Sequence, residues 1–435
     1  MNMTRKEIMP GVWLSHLRED KFKTACLSLS LLTQLERETA AMNALIPYVL
    51  RRGCTRYRDM EALSARMEEL YGSAVEPVVR RIGEIQCLGF FASLPEGAFL
   101  PDGKGVLEDV AMLMGELLLD PLKRGGLLYK PYVDSEREKM LERLRARINE
   151  KRSYSVRRCI EEMCCCEDFA VGGLGGIDEC ESINYQKLTK RYRELLQSSP
   201  VEVFYCGRES FNKVSAAMKD ALMTLPRGEI DYDIGTDVRM NSLEEKPRFY
   251  EEQLDVTQGK LVMGFRLGQC MEQPDIPALH VFNAIYGGGS FSKLFLNVRE
   301  RLSLCYYAFS ALEIHKGIML VSCGVDFDKF EPARDEIFAQ LEAMRKGDIS
   351  EEELLAAKAC VASDLRSFED SQAELEGFYL SNALMGAEYS PLELSELVGE
   401  VTVETVRDIA RSVECDMIYF LSGDGESEED TDADD

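Results

Sequence analysis

Histidine is nearly missing from this chain of 435 residues: only His16, His280 and His315 occur, and no two share an HxxE, HxxH or HxxxH spacing. A zinc hydrolase or a serine–histidine catalyst would have to be assembled from isolated residues, so each histidine reads as a strand or surface residue. CxxC pairs are missing too, despite 14 cysteines. The one cluster is Cys159, Cys164 to Cys166 and Cys180. With no histidine nearby it has the spacing of neither a structural zinc site nor a disulfide framework. It reads as small apolar side chains on a helix, with a soft-metal or redox site as the alternative. No apolar run approaches the ~20 residues of a membrane helix, and Met1 to Glu7 does not lead into an apolar signal core. A cytoplasmic protein without a membrane partner is expected. Lys and Arg are outnumbered 51 to 77, a net charge of −26, which disfavours nucleic acid as a partner because phosphate binding needs a basic face. Neutral or basic peptides fit that charge better. Eight of the negative charges fall on residues 423–435, which read as an acidic, disordered tail.

What is present is enough apolar sequence for a sizeable core, 45% of residues, and a pattern that runs twice. In the first half, Thr24 to Gln34 alternates like a strand, Glu36 to Arg52 reads as a helix, and Ala74 to Val79 with Glu84 to Leu94 reads as a hairpin. Long helices follow, one over Ser135 to Cys166, either continuous or broken near Ser153, ahead of the apolar strand Val201 to Cys206. In the second half, Lys260 to Leu267 is a strand, Pro277 to Tyr286 and Phe291 to Glu300 are helices, and Cys305 to Leu312 with Gly317 to Val325 forms a hairpin. A helix over Ser350 to Met385 opens on the capping box Ser350-Glu351-Glu352-Glu353. The two hairpin segments have equal length at an offset of 231 residues (305 − 74). A repeat this long means two domains rather than a solenoid, whose units run ~20–50 residues. The expected fold class is α+β: two homologous repeats, each a mixed or antiparallel sheet with helices packed on one face. The expected boundaries are 1–228 for the first repeat, 229–252 for a polar linker, 253–422 for the second repeat and 423–435 for the tail.

The most specific string is GGGSFSKLF over Gly287 to Phe295, running into VRERLSLCY over Val298 to Tyr306. It resembles the second repeat of the pitrilysin/insulinase metallopeptidases, the inverzincins, which has a glycine-rich turn, a short helix ending in Arg-Glu, and a Tyr seven residues after that Arg. Here these are Gly287, Gly288, Gly289, Arg299 and Tyr306. Ile349 to Lys358 and Val401 to Val406 are similar to later helices of the same family, and Gly176 to Leu188 to its connection into the closing strand of the first repeat. The resemblance spans Gly11 to Gly423.

Active members carry H-x-x-E-H on the first helix of the first repeat, two histidines binding zinc and the glutamate activating water. Aligned on Gly53, that motif falls on Ala44-Leu45-Ile46-Pro47-Tyr48. Ala44 cannot coordinate, Pro47 replaces the general base and should bend the helix, and Tyr48 brings a phenol, which ionises only near pH ~10 and is a poor ligand at neutral pH. The third ligand, a glutamate, falls near Arg145, whose cation opposes metal, or on Glu142 if the alignment slips by three. Arg51 and Arg52, just beyond, read as solvated or at a subunit contact.

Arg299 and Tyr306 can be read without the family. A guanidinium fork and a phenolic O–H brought together would polarise a peptide carbonyl and hold the developing oxyanion; otherwise Arg299 pairs with Glu300 or Asp326 and Tyr306 is a strand aromatic. The glycines read as a mobile, peptide-facing loop, and Thr24 to Gln34 and Lys260 to Leu267 either as edge strands open to an extended peptide or as ordinary core strands. The resemblance implies two such chains closing like a clamshell, one with the zinc motif and the other, as in the alpha subunit of the mitochondrial processing peptidase, without it. This chain would be the non-catalytic, substrate-holding subunit of a heterodimeric zinc metallopeptidase acting on peptides or small unfolded polypeptides. It would carry no cofactor of its own, zinc belonging to a homologous HxxEH-bearing partner. The alternative is a scaffold or assembly protein with the same fold and no role in proteolysis.

Overall fold

The computed structural model describes residues 3–101, 103–268 and 274–423; residues 424–435 of the expected acidic tail, and Cys270, lie outside the described residues. The first strands are β1 (Met3–Met9), β2 (Val12–Arg18), β3 (Thr24–Gln34), β4 (Ala74–Ile82), β5 (Ile85–Pro95) and β6 (Val201–Gly207). They form one sheet in the order β1-β2-β6-β3-β5-β4, in which only β2 and β6 run parallel. A second sheet is built from β7 (Arg248–Gln253), β8 (Gly259–Arg266), β9 (Cys305–Glu313), β10 (Ile318–Val325) and β11 (Glu414–Ser422). Its order is β9-β10-β8-β11-β7, with β11 and β7 the parallel pair.

Read from the hairpin, the orders β4-β5-β3-β6-β2 and β9-β10-β8-β11-β7 coincide, the parallel pair included. The repeat is therefore structural. The hairpin strands β4 and β9 are nine residues each, with both ends displaced by 231 residues. Strands β1, β2 and β7 have no counterpart in the sequence expectation. All of β7 but Gln253 falls inside the expected linker, because a charged, mostly exposed edge strand carries no apolar alternation. Of the two readings of β3 and β8, edge or core, the core one holds: β3 lies between β6 and β5, and β8 between β10 and β11.

Both long helices break, the first a few residues before the Ser153 that the sequence offered as a break point and the second without such a signal. The expected helix Glu36 to Arg52 is α1 (Arg37–Leu50), and the one expected over Ser135 to Cys166 divides into α2 (Lys130–Ala146) and α3 (Lys151–Met163), with a 3-10 turn over Arg147–Asn149 between them. The Glu150 carboxylate accepts from the backbone N–H of Arg152 and Ser153 and starts α3 afresh. The second divides into α4 (Glu351–Ser367) and α5 (Gln372–Met385), parted by a 3-10 turn over Phe368–Asp370 and restarted by the Ser371 cap. The Ser350 capping box holds as expected: Ser350 N–H donates to Glu353 and Glu353 N–H to the Ser350 hydroxyl.

These breaks let the halves exchange helices. One compact unit comprises residues 1–147, 171–237 and 365–394; the other comprises 148–170, 238–364 and 395–435. Thus α3 belongs with the second sheet and α5 with the first. In the first unit Leu27, Leu29 and Leu31 of β3 point into the main core with Ala44 and Leu45 of α1. The alternate residue Cys26 packs with Leu375 and Tyr379 of α5, so α5 covers the opposite face. In the second unit Val262 of β8 packs with Cys159, Ile160 and Met163 of α3, and a Cβ at Gly264 would collide with the Met163 sulfur.

Each exchanged segment is pinned by a buried carboxylate. Glu376 of α5, 1% exposed, accepts from the Ser28 hydroxyl at 2.9 Å and from Arg80. Glu167, just beyond α3, accepts from Arg266 at 2.6 Å and Lys316 at 2.7 Å, both fully buried, and Arg266 also binds Asp416 at 2.9 Å. Removing one member of a buried ion pair typically costs about 3–5 kcal/mol, because the other charge is left without compensation. Among the described residues no helix is long and apolar enough to cross a membrane.

Candidate functional site

The helix α1 places the degenerate motif in the first core. Ala44 is fully buried, and Pro47, also buried, sits inside the helix, which continues through it to Leu50. The expected bend does not interrupt the helix: Arg51 N–H still bonds the Pro47 carbonyl at 3.0 Å, so proline removes one donor and the next turn closes. Tyr48 is half-buried, and the Arg143 guanidinium of α2 lies 4.8 Å from its ring centroid, a cation–π contact. Arg143, not Arg145, therefore faces the motif. Arg145 pairs with Glu181 at 2.7 Å, both side chains about half exposed, and Glu142 is exposed. Arg51 is buried and donates to the Val75 carbonyl, while Arg52 pairs with Glu136 at 2.9 Å, so the solvated reading holds for neither.

Beside the motif lies a polar network that the sequence did not announce. The Asn43 amide donates to Gln86 Oε1 at 2.9 Å and its oxygen accepts from Arg191 at 2.7 Å. Gln86 in turn donates to the carbonyls of Ala40 and Gly173. A fully buried Asn and Gln must be satisfied in this way, and together they fasten α1 to β5.

A zinc ion does not fit these residues. Ala44 has no donor atom, Pro47 has no carboxylate, and Arg143 puts a cation where a third ligand would approach Tyr48. Among the described residues no three His, Cys, Asp or Glu side chains gather as a metal would require. The histidines are dispersed on other duties. His16 Nε2–H donates to the Glu209 carbonyl at 2.8 Å and its ring stacks on Tyr205. His280 lies on the helix Ile276–Tyr286, and burial pushes its pKa down to about 4, as it does for His315.

The second repeat holds the other candidates on irregular backbone. Gly287 is buried, and its carbonyl accepts the Ser310 N–H at 3.0 Å. A Cβ there would lie 2.6 Å from Ser310 backbone nitrogen, and one at Gly288 would lie 2.8 Å from the Ala284 Cα. Close packing thus requires glycine at 287 and 288, although Gly288 itself is exposed; Gly289 abuts Phe291. The following segment Leu294–Arg301 is a π-helix, closed by a bond from Leu302 N–H to the Asn297 carbonyl, a form often found at functional sites. Ser303 then takes a left-handed conformation, φ +49°, unusual for a residue other than glycine.

Strand β9 opens on a bulge. Cys305 pairs with Val325 and Tyr307 with Gly324, which leaves Tyr306 as the extra residue, turned outward and 59% exposed. Its O–H donates to Asp326 Oδ1 at 2.8 Å, and Asp326 also binds Lys329 at 2.8 Å. The Lys329 and Tyr306 hydrogen bonds hold the Asp326 carboxyl below its ordinary range. Arg299, half-exposed, lies 4.6 Å from the Phe295 ring and 3.6 Å from Glu300. The two donors thus stand at opposite ends of one irregular turn, each with a carboxylate of its own chain.

The two sheets repeat one strand order, and the first helix carries Ala44, Pro47 and Tyr48 where the resemblance places the zinc motif. Residues 182–360 match the family model described as "Peptidase M16 inactive domain". Over 95% of its length the chain is 31% identical to the "Probable inactive metalloprotease YmfF" of Bacillus subtilis, covering 96% of that protein. The chain belongs to the M16 peptidase family, that of pitrilysin and insulinase, and is a homologue of a probable inactive member. Its fold is shared with a conserved protein from Enterococcus faecalis V583, at TM-score 0.88, 24% identity, and coverage of 98% of this chain and 100% of that one. The periplasmic protease PqqL from Escherichia coli has the same fold at TM-score 0.69 and 16% identity, with 97% of this chain covering 47% of that one.

Proposed function

We propose that this chain is the non-catalytic, substrate-holding subunit of a heterodimeric zinc metallopeptidase, with zinc supplied by a homologous HxxEH-bearing chain. The observation that carries the reading is the outward Tyr306 on its bulge at the end of the turn that carries Arg299. An exposed ion pair such as Arg299–Glu300 is worth only ~0–1 kcal/mol, so its guanidinium exchanges readily onto a substrate carbonyl or carboxylate. Tyr306 likewise exchanges Asp326 for a peptide carbonyl at small cost, since its hydroxyl already meets water. The two would hold an extended peptide and polarise its carbonyl, while the bond-breaking water belongs to the partner. That PqqL spans about twice this chain's length in one polypeptide supports reading this chain as half of a larger assembly. The net charge of −26 favours basic peptides as substrates.

The test is reconstitution with an HxxEH-bearing M16 chain from the same organism. Arg299→Ala and Tyr306→Phe should lower turnover of a basic peptide while leaving assembly intact; unchanged turnover in both would remove the pair from function. The second reading, a scaffold without a role in proteolysis, is favoured by the in-chain partners that Arg299 and Tyr306 already have. It predicts assembly without any effect of this chain on peptide binding.

A further inference from the structure

Cys164, Cys165 and Cys166 close the turn at the end of α3, and they do not share one fate. Cys164 is buried and caps the helix, its N–H bonding the Ile160 carbonyl at 2.8 Å. Cys165 and Cys166 are exposed, with their sulfurs 3.7 Å apart. The expectation of small buried side chains therefore holds for Cys159, Cys164 and Cys180 and fails for these two. The turn beneath them is fixed: Glu167 N–H bonds the Cys164 carbonyl at 2.8 Å, and the Glu167 carboxylate is locked onto Arg266 and Lys316. On the other side, Arg248 Nη1 lies 3.8 Å from Cys165 Sγ while its Nη2 holds Asp416 and the Met163 carbonyl.

We propose that Cys165 and Cys166 form a vicinal dithiol site for a soft, thiophilic centre of the trivalent arsenical class, which bonds two sulfurs at once. Two alternatives are weaker. A direct disulfide would join residues whose Cα atoms are about 3.8 Å apart, below the roughly 4.4–6.8 Å that disulfides prefer, so the ring is strained and easily reduced. A tetrahedral metal would need further donors, and none completes the set among the described residues. Insertion of one larger atom between the sulfurs relieves the strain and needs no third ligand. With phenylarsine oxide the step is balanced without redox change: two S–H bonds and the arsenic–oxygen bond break, two As–S bonds form, and the oxygen leaves with both protons as water.

The probe is phenylarsine oxide on the full-length reduced protein, followed by intact mass and by release with thiols. One equivalent should bind, resist a monothiol such as 2-mercaptoethanol, and leave with dithiothreitol. Joining the second bond intramolecularly is worth ~10²–10⁴ in affinity, so Cys165→Ser and Cys166→Ser should each bind at least about 100-fold more weakly. Cys305→Ser and Cys360→Ser should bind like the parent. Cys165 and Cys166 are exposed, and an unchanged far-ultraviolet dichroism spectrum confirms that their variants fold. No tight equivalent in the parent, or full retention in either of the first two variants, overturns the site.

Discussion

The two repeats share a sheet and differ in what they do with the position where chemistry would sit. In the first, α1 gives its motif to packing: Ala44 in the core, Pro47 inside the helix, Tyr48 under Arg143. In the second, the equivalent investment is in irregular backbone: a π-helix, a left-handed Ser303 and a bulge that turns Tyr306 outward. Strained or irregular backbone persists only where its surroundings impose it, and it clusters at working sites. The contrast is that the first repeat fills its motif position with packed side chains, while the second keeps irregular backbone and an outward Tyr306.

What the repeats share can be broken first. Glu167→Ala and Glu376→Ala should each destabilise by about 3–5 kcal/mol in urea unfolding, since each strands buried cations or hydroxyls; a loss under about 1 kcal/mol from either would mean that the exchanged helices are not pinned in this way. The next effect sharpens the difference. Ala44→His adds volume at a fully buried position and should cost ~1–3 kcal/mol. The triple change Ala44→His, Pro47→Glu, Tyr48→His should still hold no stoichiometric zinc by elemental analysis, because Arg143 opposes it. Adding Arg143→Glu should bring zinc to about one equivalent, and zinc in the triple variant would show that Arg143 is misplaced in this account.

A smaller effect follows from pH. Burial by itself would raise the Glu167 carboxyl, but hydrogen bonds and charge from Arg266 and Lys316 outweigh it and hold the pKa below its ordinary 4.5. A carboxyl depressed on folding contributes its stability above the unfolded value and loses it as pH falls through the folded one. Urea midpoints should therefore drop below pH ~4.5, and that part of the slope should vanish in Glu167→Gln. The smallest effect is Arg299→Ala alone, within about 0.5 kcal/mol of the parent, which separates its function from its folding. A larger loss would make Arg299 a structural residue.

Much of this was legible in the sequence because alternation and spacing report packing. Strands β4 and β9 announce themselves by equal length at a fixed offset, and the capping box at Ser350 marks a helix start that the structure keeps. The helix exchange was not legible, since apolar and charged residues run on through Arg147–Asn149 and Phe368–Asp370 with no proline or glycine to mark the break. β7 was hidden because its RFYEE reads as linker. At the site, Arg145 was the nearest cation by alignment, yet helix geometry turns Arg143 toward Tyr48, two residues away and on another face. The exposure of Tyr306 depends on one extra residue in a ladder, which no local pattern reveals. Cys165 and Cys166 differ from Cys164 only in lying past the last helical hydrogen bond.

The central claim is that this chain supplies substrate contacts and not zinc. It is tested most directly by peptidase turnover of the purified chain, of an HxxEH-bearing M16 partner, and of the two mixed, with zinc counted in each. The account predicts no zinc and no turnover in this chain alone, turnover in the mixture above that of the partner, and loss of that gain with Arg299→Ala. One equivalent of zinc with turnover in this chain alone, or a mixture no faster than the partner, would contradict it.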